Sequence, residues 1–451
     1  MKTSISEVQT WVPGSQVQGT AVFDGVSTDT RTAGKGNLFV ALKGENFDAH
    51  DFLSEVSGKG VAAVVAERLP EGFSLPALLV KDSRLALGEM ARHWRSRFDL
   101  PVIGVTGSNG KTTVKEMIAA ILRTAYGDGR FLATAGNLNN DIGVPQTLFR
   151  LADAHRAAVI ELGMNHPGEI AYLAAIAEPT VGLVNNAQRE HQEFMVNVEA
   201  VAKENGSVIR ALPSDGVAVF PAGDAFSGLW EEYAKESGAR RILTFGFEDG
   251  ASVKGQYDPG NSQLDIHIGE KAVSVQLAVI GRHNAHNALA AAACCHAIGI
   301  EGEMIGRGLE SFQPVNGRLQ KKVAANGARL IDDTYNANPD SVLAAIDVLA
   351  QMDSPRVLVL GDMGEVGNEG ARFHEEIGAY ARKKGIDHFF VLGELVSHAA
   401  HAYGETARHF DDVVSLVASL GEVALPSATV LVKGSRFMKM ERVVNNLVER
   451  E

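Results

Sequence analysis

The sequence is short of positive charge. It contains 42 Lys and Arg residues against 55 Asp and Glu residues, and its formal net charge is −13. Nucleic acids and anionic membranes attract basic surfaces, so this balance argues against either of them as a partner. An anionic small molecule is compatible with the charge, provided that local groups hold it.

Cysteines and long apolar segments are also scarce. The two cysteines, Cys294 and Cys295, are adjacent within residues 288–300, a nearly apolar run that is too short to span a bilayer. Buried helix residues in a reducing compartment are the simplest interpretation of this pair. The start of the chain, MKTSISEVQTWVPG, lacks the apolar core of a secretory signal. These absences predict a cytoplasmic protein without a membrane-inserted segment.

The length and the order of patterns indicate several α/β domains. A chain of 451 residues is too long for one hydrophobic core. Pro101 ends a helix pattern, and a strand, a glycine loop and another helix follow it. A second crossing, which contains Pro and Gly, lies at residues 312–320. We therefore predict three α/β domains with parallel sheets, at residues 1–99, 100–312 and 313–451.

The stretch VIGVTGSNGKTTVKEM, residues 102–117, lacks the usual spacing of a phosphate-binding loop. That spacing is Gly, four residues, then Gly-Lys-[Ser/Thr], and Val105 stands where the first glycine belongs. The chemistry itself needs converging backbone N–H groups, a helix N-terminus, a lysine and a neighbouring hydroxyl. The stretch supplies them through Gly107, Gly110, Lys111 and Thr112, followed by Thr113 at the start of a helix. An incidental glycine turn is the alternative, and the flanking strand and helix disfavour it.

An acidic residue ends the next buried strand pattern, AAVIELG, at residues 157–163. Glu161 lies where nucleotide-binding enzymes often place the acid that reaches a metal ion. An acidic residue at a strand end is common, so this observation is weak alone. Together with the glycine loop it predicts binding of ATP and Mg²⁺.

The loop TGSNGKTT is the form found in the Mur ligases and their folylpolyglutamate relatives, and further segments follow in the order of that family. These segments are ATAGNLNNDIGVPQTL, IELGMNHPGEI, GRHNAHNALAA, NGRLQ, DDTYNANPDS, LGDMGEVG and LVKGSR. The chain therefore resembles the Mur ligase family over essentially its full length. Within that family, GMNHPGEI and YNANPDS resemble the branch that joins the dipeptide D-alanyl-D-alanine to UDP-N-acetylmuramoyl-tripeptide.

The resemblance implies a fold, an activity and partners. The first domain would be a mixed α/β domain that binds the UDP substrate, the second a P-loop ATPase-like parallel sheet, and the third a Rossmann-like domain. The activity would be an ATP-dependent peptide ligation of peptidoglycan synthesis, through an acyl phosphate, carried out by a monomer. Open and closed states are expected, with ATP bound between the second and third domains.

The resemblance also assigns residues to the nucleotide and the metal. Both chemical steps gather negative charge, so cations and N–H donors are expected to stabilise them. The expected catalytic residues are Lys111 and Arg318 at phosphate and His191 at a metal ion. The expected Mg²⁺ ligands are Thr112, Glu161 and His191. The remaining nucleotide contacts are Gly107, Ser108, Asn109, Gly110, Thr112 and Thr113 in the loop, His283, Asn284 and Asn287 beside the adenine, and Asp333 at the ribose. Capping of a helix is the alternative role for Asn284.

Other polar residues are candidates for contact with the substrates. Asn137, Asn139 and Asn140 offer amides that can bind sugar and peptide groups. In the first domain, Ser27, Arg31 and His50 match uridine-binding motifs, although the segment STDT is also typical of a turn. Tyr335, Asn336 and Asn338 lie where the resemblance implies contact with ATP or the dipeptide. Asn338 before Pro339 is also typical of a helix N-cap.

One position departs from the family pattern. Mur ligases commonly carry AKAKGEI shortly after the metal-binding histidine, and the second lysine of that segment is carbamylated. Here the segment is VAKENGSVI, in which Lys203 is present and Asn205 occupies the position of the modified lysine. We expect the carbamate to be absent and Lys203 to be a solvated helix charge. A shifted register in which Lys203 serves is the alternative.

Three other activities are compatible with parts of the sequence. They are a Mur ligase that adds diaminopimelate or lysine, a folylpolyglutamate-type ligase, and a nucleotide-binding switch without ligase activity. The NANP segment disfavours the first, and the long segment before the glycine loop disfavours the second. The switch would hydrolyse ATP slowly, whether or not a dipeptide is present. The third residue of the stem peptide is not identified by the sequence.

Overall fold

The computed structural model describes residues 1–190, 193–236, 238 and 240–448. The described chain forms three α/β units in succession, each with its own main sheet. No helix in this part of the chain is both long and apolar enough to cross a membrane.

The first unit is a mixed α/β domain. Its strands are β1 (Lys2–Ser4), β2 (Gln16–Gln18), β3 (Val22–Asp24), β4 (Val26–Ser27), β5 (Leu38–Val40), β6 (Ala63–Ala66) and β7 (Ala77–Leu79). Its helices are α1 (Ile5–Trp11), α2 (Leu53–Ser57) and α3 (Ser83–Arg95). The main sheet has the order β2-β7-β6-β5-β4, in which β4 to β7 are parallel and β2 is antiparallel. Strands β1 and β3 pair separately.

The middle unit is a large, mainly parallel sheet with helices. Its strands are β8 (Val102–Thr106), β9 (Phe131–Ala133), β10 (Ala157–Glu161), β11 (Val181–Val184), β12 (Val217–Pro221), β13 (Arg241–Gly246), β14 (Val253–Asp258), β15 (Gln263–Ile268) and β16 (Lys271–Gln276). Its helices are α4 (Lys111–Tyr126), α5 (Gly143–Leu148), α6 (Glu169–Ala177), α7 (Val198–Arg210), α8 (Ser227–Lys235), α9 (Arg282–Ala297) and α10 (Gly302–Ser311). The strand order is β16-β15-β14-β13-β12-β11-β8-β10-β9, and β14 to β16 form antiparallel hairpins at one edge.

The third unit is a doubly wound sheet. Its strands are β17 (Gln320–Val323), β18 (Arg329–Asp333), β19 (Arg356–Gly361), β20 (His388–Leu392), β21 (Arg408–Phe410) and β22 (Thr429–Lys433). Its helices are α11 (Pro339–Ala350), α12 (Gly370–Lys383), α13 (Ser397–Tyr403), α14 (Val413–Leu420) and α15 (Glu441–Val448). The order is β17-β18-β22-β19-β20-β21, and all pairs except β17 with β18 are parallel.

The centre of the middle sheet follows directly from its sequence. All residues of β8 are buried, as expected for a parallel strand that is covered on both faces. A Cβ at Gly104 would lie 3.1 Å from Cγ2 of Val208 and 3.2 Å from Cβ of Pro179. Glycine therefore lets α7 pack closely against β8, which brings Asn205 of α7 beside the loop that follows the strand.

The first two units share one hydrophobic core. A single cluster of buried side chains extends from Ile5 and Leu38 in the first unit to Leu173 and Val208 in the second. Arg95 at the end of α3 is buried, and its guanidinium donates to the carbonyls of Ala177 and Glu178, each at 3.2 Å.

The third unit has two further cores, built around residues such as Leu358 and Val430, and the middle unit contributes Ile280 to the first of them. We therefore expect the first two units to move as one body and the third to move against them. The three-domain α/β fold, with a mixed first domain, a P-loop ATPase-like sheet and a Rossmann-like third domain, is confirmed.

Candidate active site

A large cleft opens at the carboxyl ends of β8, β10 and β11, where the middle and third units meet. Its volume is about 1710 Å³. Ligands of α/β proteins bind at this end of a parallel sheet. The middle unit contributes Ser108, Asn109, Gly110, Lys111, Thr112, Thr113, Asn137, Asn139, Asn140, Glu161, His283, Asn284 and Asn287 to its lining. The third unit contributes Arg318, Asp333, Tyr335, Asn336 and Asn338. The structure thus brings together most of the residues selected from the sequence.

The glycine loop between β8 and α4 has the geometry of an anion site. Gly107 and Gly110 have φ values of 131° and 81°, which side-chain-bearing residues rarely adopt. A Cβ at Gly107 would lie 2.9 Å from Cβ of Asn185, so the loop packs tightly on the segment after β11. Helix α4 begins at Lys111 without a side-chain cap from the described residues. Its first N–H groups are therefore available to a phosphate.

Lys111 lies against this loop. Its ammonium contacts the Gly107 carbonyl and lies 3.2 Å from the Ser108 carbonyl and 3.4 Å from Oε2 of Glu190. The side chain is 16% exposed, so it is partly sheltered from water and still opens into the cleft. A cation in this position can reach the outer phosphates of a nucleotide that the first N–H groups of α4 hold.

Glu161 and Thr112 form an oxygen-rich pair at the base of the cleft. Oε1 of Glu161 accepts hydrogen bonds from the Thr112 hydroxyl at 3.1 Å and from the Asn139 amide at 2.9 Å. Oε2 is buried and has no hydrogen-bond partner among the described residues. A buried carboxylate oxygen without a partner is costly, and a bound cation would satisfy it.

These donors fit Mg²⁺, which prefers carboxylate and hydroxyl oxygens. In the described ranges, no group of three or more His, Cys, Asp or Glu side chains converges to hold a metal ion. Phosphate oxygens and water usually complete the coordination of Mg²⁺ at a nucleotide.

Arg318 connects the third unit to the glycine loop. Its Nη2 donates to the Thr112 hydroxyl at 3.0 Å, and its guanidinium lies 4.2 Å from the centre of the Tyr335 ring. The loop before β17 is held in turn by Asp333, whose Oδ1 accepts the Leu319 N–H at 3.1 Å. Burial raises the pKa of Asp333, while the Lys433 ammonium at 2.6 Å opposes that shift. The third unit thus places this arginine at the phosphate loop.

Asn338 has both roles that the sequence allowed. Its side chain caps α11 by accepting the Ser341 N–H at 2.9 Å. Its amide also donates to Oδ1 of Asn109 in the glycine loop at 2.9 Å. Asn336 lies beside it in the cleft, where its carbonyl accepts from Lys433 at 2.9 Å.

The start of α9 forms another wall of the cleft. Gly281 occupies the N-cap, so Asn284 does not cap this helix; its amide donates to the Ile280 carbonyl at 2.8 Å. Asn287 accepts from Asn185 at 2.9 Å, which ties α9 to the segment behind the loop. Burial lowers the pKa of His283 to about 4, so this imidazole is neutral near pH 7.

Sequence reasoning missed several residues beside His283. The His286 ring lies 6.1 Å from the Phe247 ring, and the Arg282 guanidinium lies 3.8 Å from the centre of Phe247. All three line the cleft and offer flat surfaces to a nucleoside base. Arg282 and His286 belong to the GRHNAHNALAA segment and could have been found there, whereas Phe247 follows β13 in a segment without any motif.

The residues selected in the first unit lie outside the lining of the cleft. The Ser27 hydroxyl donates to the Asp29 carbonyl at 3.1 Å, and Arg31 pairs with the Asp29 carboxylate at 2.7 Å. His50 is buried; its Nδ1 lies 2.6 Å from Asp48, and its Nε2 accepts the Glu67 N–H at 2.9 Å. These contacts agree with the turn interpretation of STDT, and the contact of Ser27, Arg31 and His50 with UDP stays a prediction.

The structure separates Lys203 from the cleft. Lys203 is exposed and pairs with Glu199 at 2.7 Å on the surface of α7. Asn205 faces inward, is 1% exposed, and its Oδ1 accepts the Gly107 N–H at 3.0 Å. His191, the expected second metal ligand, lies outside the described residues.

Arg189 was not selected from the sequence, and it links the middle unit to the third. Its guanidinium donates to Asp340 at 2.6 Å and to Glu376 at 2.6 Å, and its backbone N–H donates to Asp340 at 2.8 Å. It also lies 5.3 Å from the centre of the Phe373 ring. No local pattern marks these partners, because they are far apart in the sequence.

Comparison with known proteins gives two matching family descriptions. The "Mur ligase middle domain" matches residues 105–295, and the "Mur ligase, glutamate ligase domain" matches residues 317–436. The UDP-N-acetylmuramoyl-tripeptide–D-alanyl-D-alanine ligase of Escherichia coli (strain K12) is 41% identical over 441 residues, covering 96% of each chain.

Two solved structures agree with this similarity. The crystal structure of MurF from Acinetobacter baumannii has a TM-score of 0.93 at 34% identity and covers 100% of this chain and 99% of its own. The crystal structure of MurF ligase from Thermotoga maritima in complex with ADP has a TM-score of 0.83 at 27% identity and covers 93% of this chain and 96% of its own.

Proposed function

The chain belongs to the Mur ligase family, and on that basis we propose that it joins D-alanyl-D-alanine to UDP-N-acetylmuramoyl-tripeptide at the expense of ATP. The relatives of known activity match it over nearly the full length, and they carry out this ligation by name. The product is the UDP-muramoyl pentapeptide used in peptidoglycan synthesis.

The main structural support for the proposal is a contact between the third unit and the phosphate loop. Arg318 of the third unit donates to Thr112 of the phosphate loop at 3.0 Å, and Thr112 in turn donates to Glu161 at 3.1 Å. A phosphate-loop hydroxyl, a buried carboxylate and an arginine from a separate domain therefore meet at one point. This arrangement suits the transfer of a terminal phosphate, in which cations and N–H donors stabilise negative charge.

The chemistry proceeds in two steps. A carboxylate is a poor electrophile, so the carboxyl end of the tripeptide first attacks the γ-phosphate of ATP, which becomes part of an acyl phosphate as ADP leaves. The amine of the dipeptide then attacks the acyl carbon, and inorganic phosphate leaves as the amide bond forms. We assign stabilisation of the transferred phosphate to Lys111, Arg318 and the first N–H groups of α4. Mg²⁺, when bound by Thr112 and Glu161, supplies charge neutralisation of the phosphate oxygens.

The substrate end of the cleft is assigned to its amides. Asn139 lines the cleft and is fixed by Glu161, and Asn140 accepts the Gly143 N–H at 2.9 Å, so the loop that carries them is preorganised. We assign Asn137, Asn139 and Asn140 to the muramoyl peptide. Tyr335, Asn336 and Asn338 are assigned to the nucleotide or the dipeptide, since they line the third-unit side of the same cleft.

Closure of the third unit would protect the acyl phosphate from hydrolysis. The Asn109–Asn338 and Arg189–Asp340 contacts both cross the cleft and hold it closed. We further propose that a monomer is active. We also propose that the protein acts in the cytoplasm, because its proposed substrates include nucleotides.

A substrate-dependence assay tests the function. Phosphate release from ATP is expected only when both UDP-N-acetylmuramoyl-tripeptide and D-alanyl-D-alanine are present, with equimolar formation of the pentapeptide. Omission of either substrate should abolish release. ATP hydrolysis that proceeds at the same rate without the dipeptide would instead indicate a nucleotide switch.

A further inference from the structure

Lys115 is a buried cation to which the reaction described above gives no role. It lies on α4 one turn after Thr112 and is 0% exposed. Burying an ammonium is costly unless it is paired, and this one is paired twice. Its Nζ donates to the Thr134 carbonyl at 2.9 Å and to Oε1 of Glu116 at 2.5 Å.

Thr134 connects this lysine to the strand that carries Glu161. Its backbone N–H donates to the Val159 carbonyl at 3.1 Å, which extends the pairing of β9 with β10 by one residue. Its hydroxyl accepts the backbone N–H of Glu161 at 3.0 Å. Lys115, Thr134 and Glu161 thus form a continuous series of buried hydrogen bonds from α4 to the end of β10.

The same threonine begins the segment that reaches the Glu161 carboxylate. Residues 135–140 follow it, and Asn139 within them donates its amide to Oε1 of Glu161 at 2.9 Å. The Asn139 carbonyl also accepts the Gly163 N–H at 2.8 Å. Both ends of this segment therefore hold Glu161, one at its backbone and one at its side chain. The side-chain contact occupies Oε1 and leaves the buried Oε2 for a cation.

We propose that Lys115 is a positioning residue for the Mg²⁺–nucleotide site. By holding the Thr134 carbonyl, it fixes the start of the segment 135–140, and through that segment it fixes which oxygen of Glu161 faces the metal position. Lys115 itself touches neither the nucleotide nor the metal. The inference rests on the proposed function, because it assumes that Thr112 and Glu161 bind Mg²⁺ with ATP.

The test compares ADP binding with and without Mg²⁺. In the full chain, Lys115→Met should weaken ADP binding in excess MgCl₂ by about tenfold, as is typical when a group behind a metal ligand is lost. Binding of ADP in EDTA, which depends on the first N–H groups of α4 and not on the metal ligands, should change less than about twofold. Isothermal titration calorimetry measures both dissociation constants.

Three further variants separate positioning from general stability. Lys115→Arg keeps the cation and should retain most of the Mg²⁺-dependent binding. Thr134→Val should reproduce the Lys115→Met pattern, because it removes the hydroxyl that accepts the Glu161 N–H. Lys203→Met is the matched control, since this exposed lysine pairs only on the surface of α7. If Lys115→Met does not fold, Lys115→Gln, which also removes the cation, is titrated in its place.

Each outcome has one meaning. Equal weakening of ADP binding with and without Mg²⁺, or unchanged binding in both conditions, overturns the positioning role. If the ADP affinity of the parent protein does not change with Mg²⁺, the proposed metal site itself is wrong. That result is distinct from a failure of the positioning role of Lys115.

Discussion

The contact of Arg189 with the third unit is expected to stabilise the closed form of the ligand-free enzyme, in which the third unit lies over the cleft. Arg189 donates to Asp340 and Glu376 across the cleft, and its side chain is 22% exposed. Burial lowers the pKa of this guanidinium, but the hydrogen bonds to the two carboxylates outweigh that and raise it. The first two units share a core, so this contact acts mainly on the position of the third.

The free energy that Arg189 contributes to the closed form can be derived from the exposure of its two ion pairs. A sheltered hydrogen bond to a charged group contributes about 1.5–3 kcal/mol, and an exposed ion pair contributes about 0–1 kcal/mol. Asp340 is 21% exposed and belongs nearer the first class, whereas Glu376 is 42% exposed and belongs to the second. We expect Arg189→Ala to cost the closed form about 2 kcal/mol, which lowers the ratio of closed to open molecules about 30-fold.

Small-angle scattering and steady-state kinetics measure this change. Without ligands, Arg189→Ala should show a larger radius of gyration than the parent protein. Saturating ATP and Mg²⁺ should restore the compact form in part, because Arg318 and Asn338 still meet the phosphate loop. The KM for the dipeptide should rise more than kcat falls, since binding then includes the cost of closure.

Arg210→Ala is the matched control for this prediction. Arg210 pairs with Glu236 at 2.7 Å, but both residues belong to the middle unit, so their loss should leave the scattering curve unchanged. Superimposable curves for Arg189→Ala and the parent, both without ligand, would refute the reasoning about closure.

Three other changes give clear expectations. Glu161→Gln removes the charge beside Thr112 and should raise the Mg²⁺ concentration for half-maximal activity by about 10–100-fold; an unchanged Mg²⁺ titration would remove Glu161 from the metal site. Lys203→Ala should leave activity unaltered, and neither bicarbonate nor chloride should alter its rate, because the side chain pairs with Glu199 on the surface; rescue of a weakened variant by bicarbonate would restore the carbamate hypothesis. Burial lowers the pKa of His283 from its ordinary value of 6.5 to about 4, so the unfolded chain binds its proton first as the pH falls. Stability should therefore decrease from about pH 6.5 down to pH 4, and thermal denaturation of His283→Gln should show a shallower decrease than the parent.

The contiguous parts of the site could be predicted from the sequence. The strand, glycine loop and helix at β8 and α4 are local features, and their spacing fixes Lys111 and Thr112 at a helix N-terminus. Glu161 was found because a buried strand pattern ends in an acid, and parallel strand ends meet at one edge. Residues that lie within such a segment could therefore be identified without knowledge of the tertiary structure.

The parts of the site that depend on packing could not be predicted in the same way. Arg189 meets Asp340 only because the third unit folds back over the cleft. Asn205 marks a departure from the family pattern, but its hydrogen bond to Gly107 follows from the close packing of α7 on β8. Lys115 has the appearance of an ordinary exposed helix lysine in sequence, and only the structure shows its burial.

In the proposed reaction, Lys111 and the glycine loop hold the terminal phosphate of ATP for transfer to the carboxyl end of the tripeptide. The most direct measurement is pentapeptide formation by Lys111→Ala, with Lys203→Ala as a lysine-to-alanine control in the same assay. We expect Lys111→Ala to lower kcat by about 100-fold or more, as when a preorganised group that stabilises transition-state charge is lost. Dipeptide coupling at the parental rate in this variant would contradict the account.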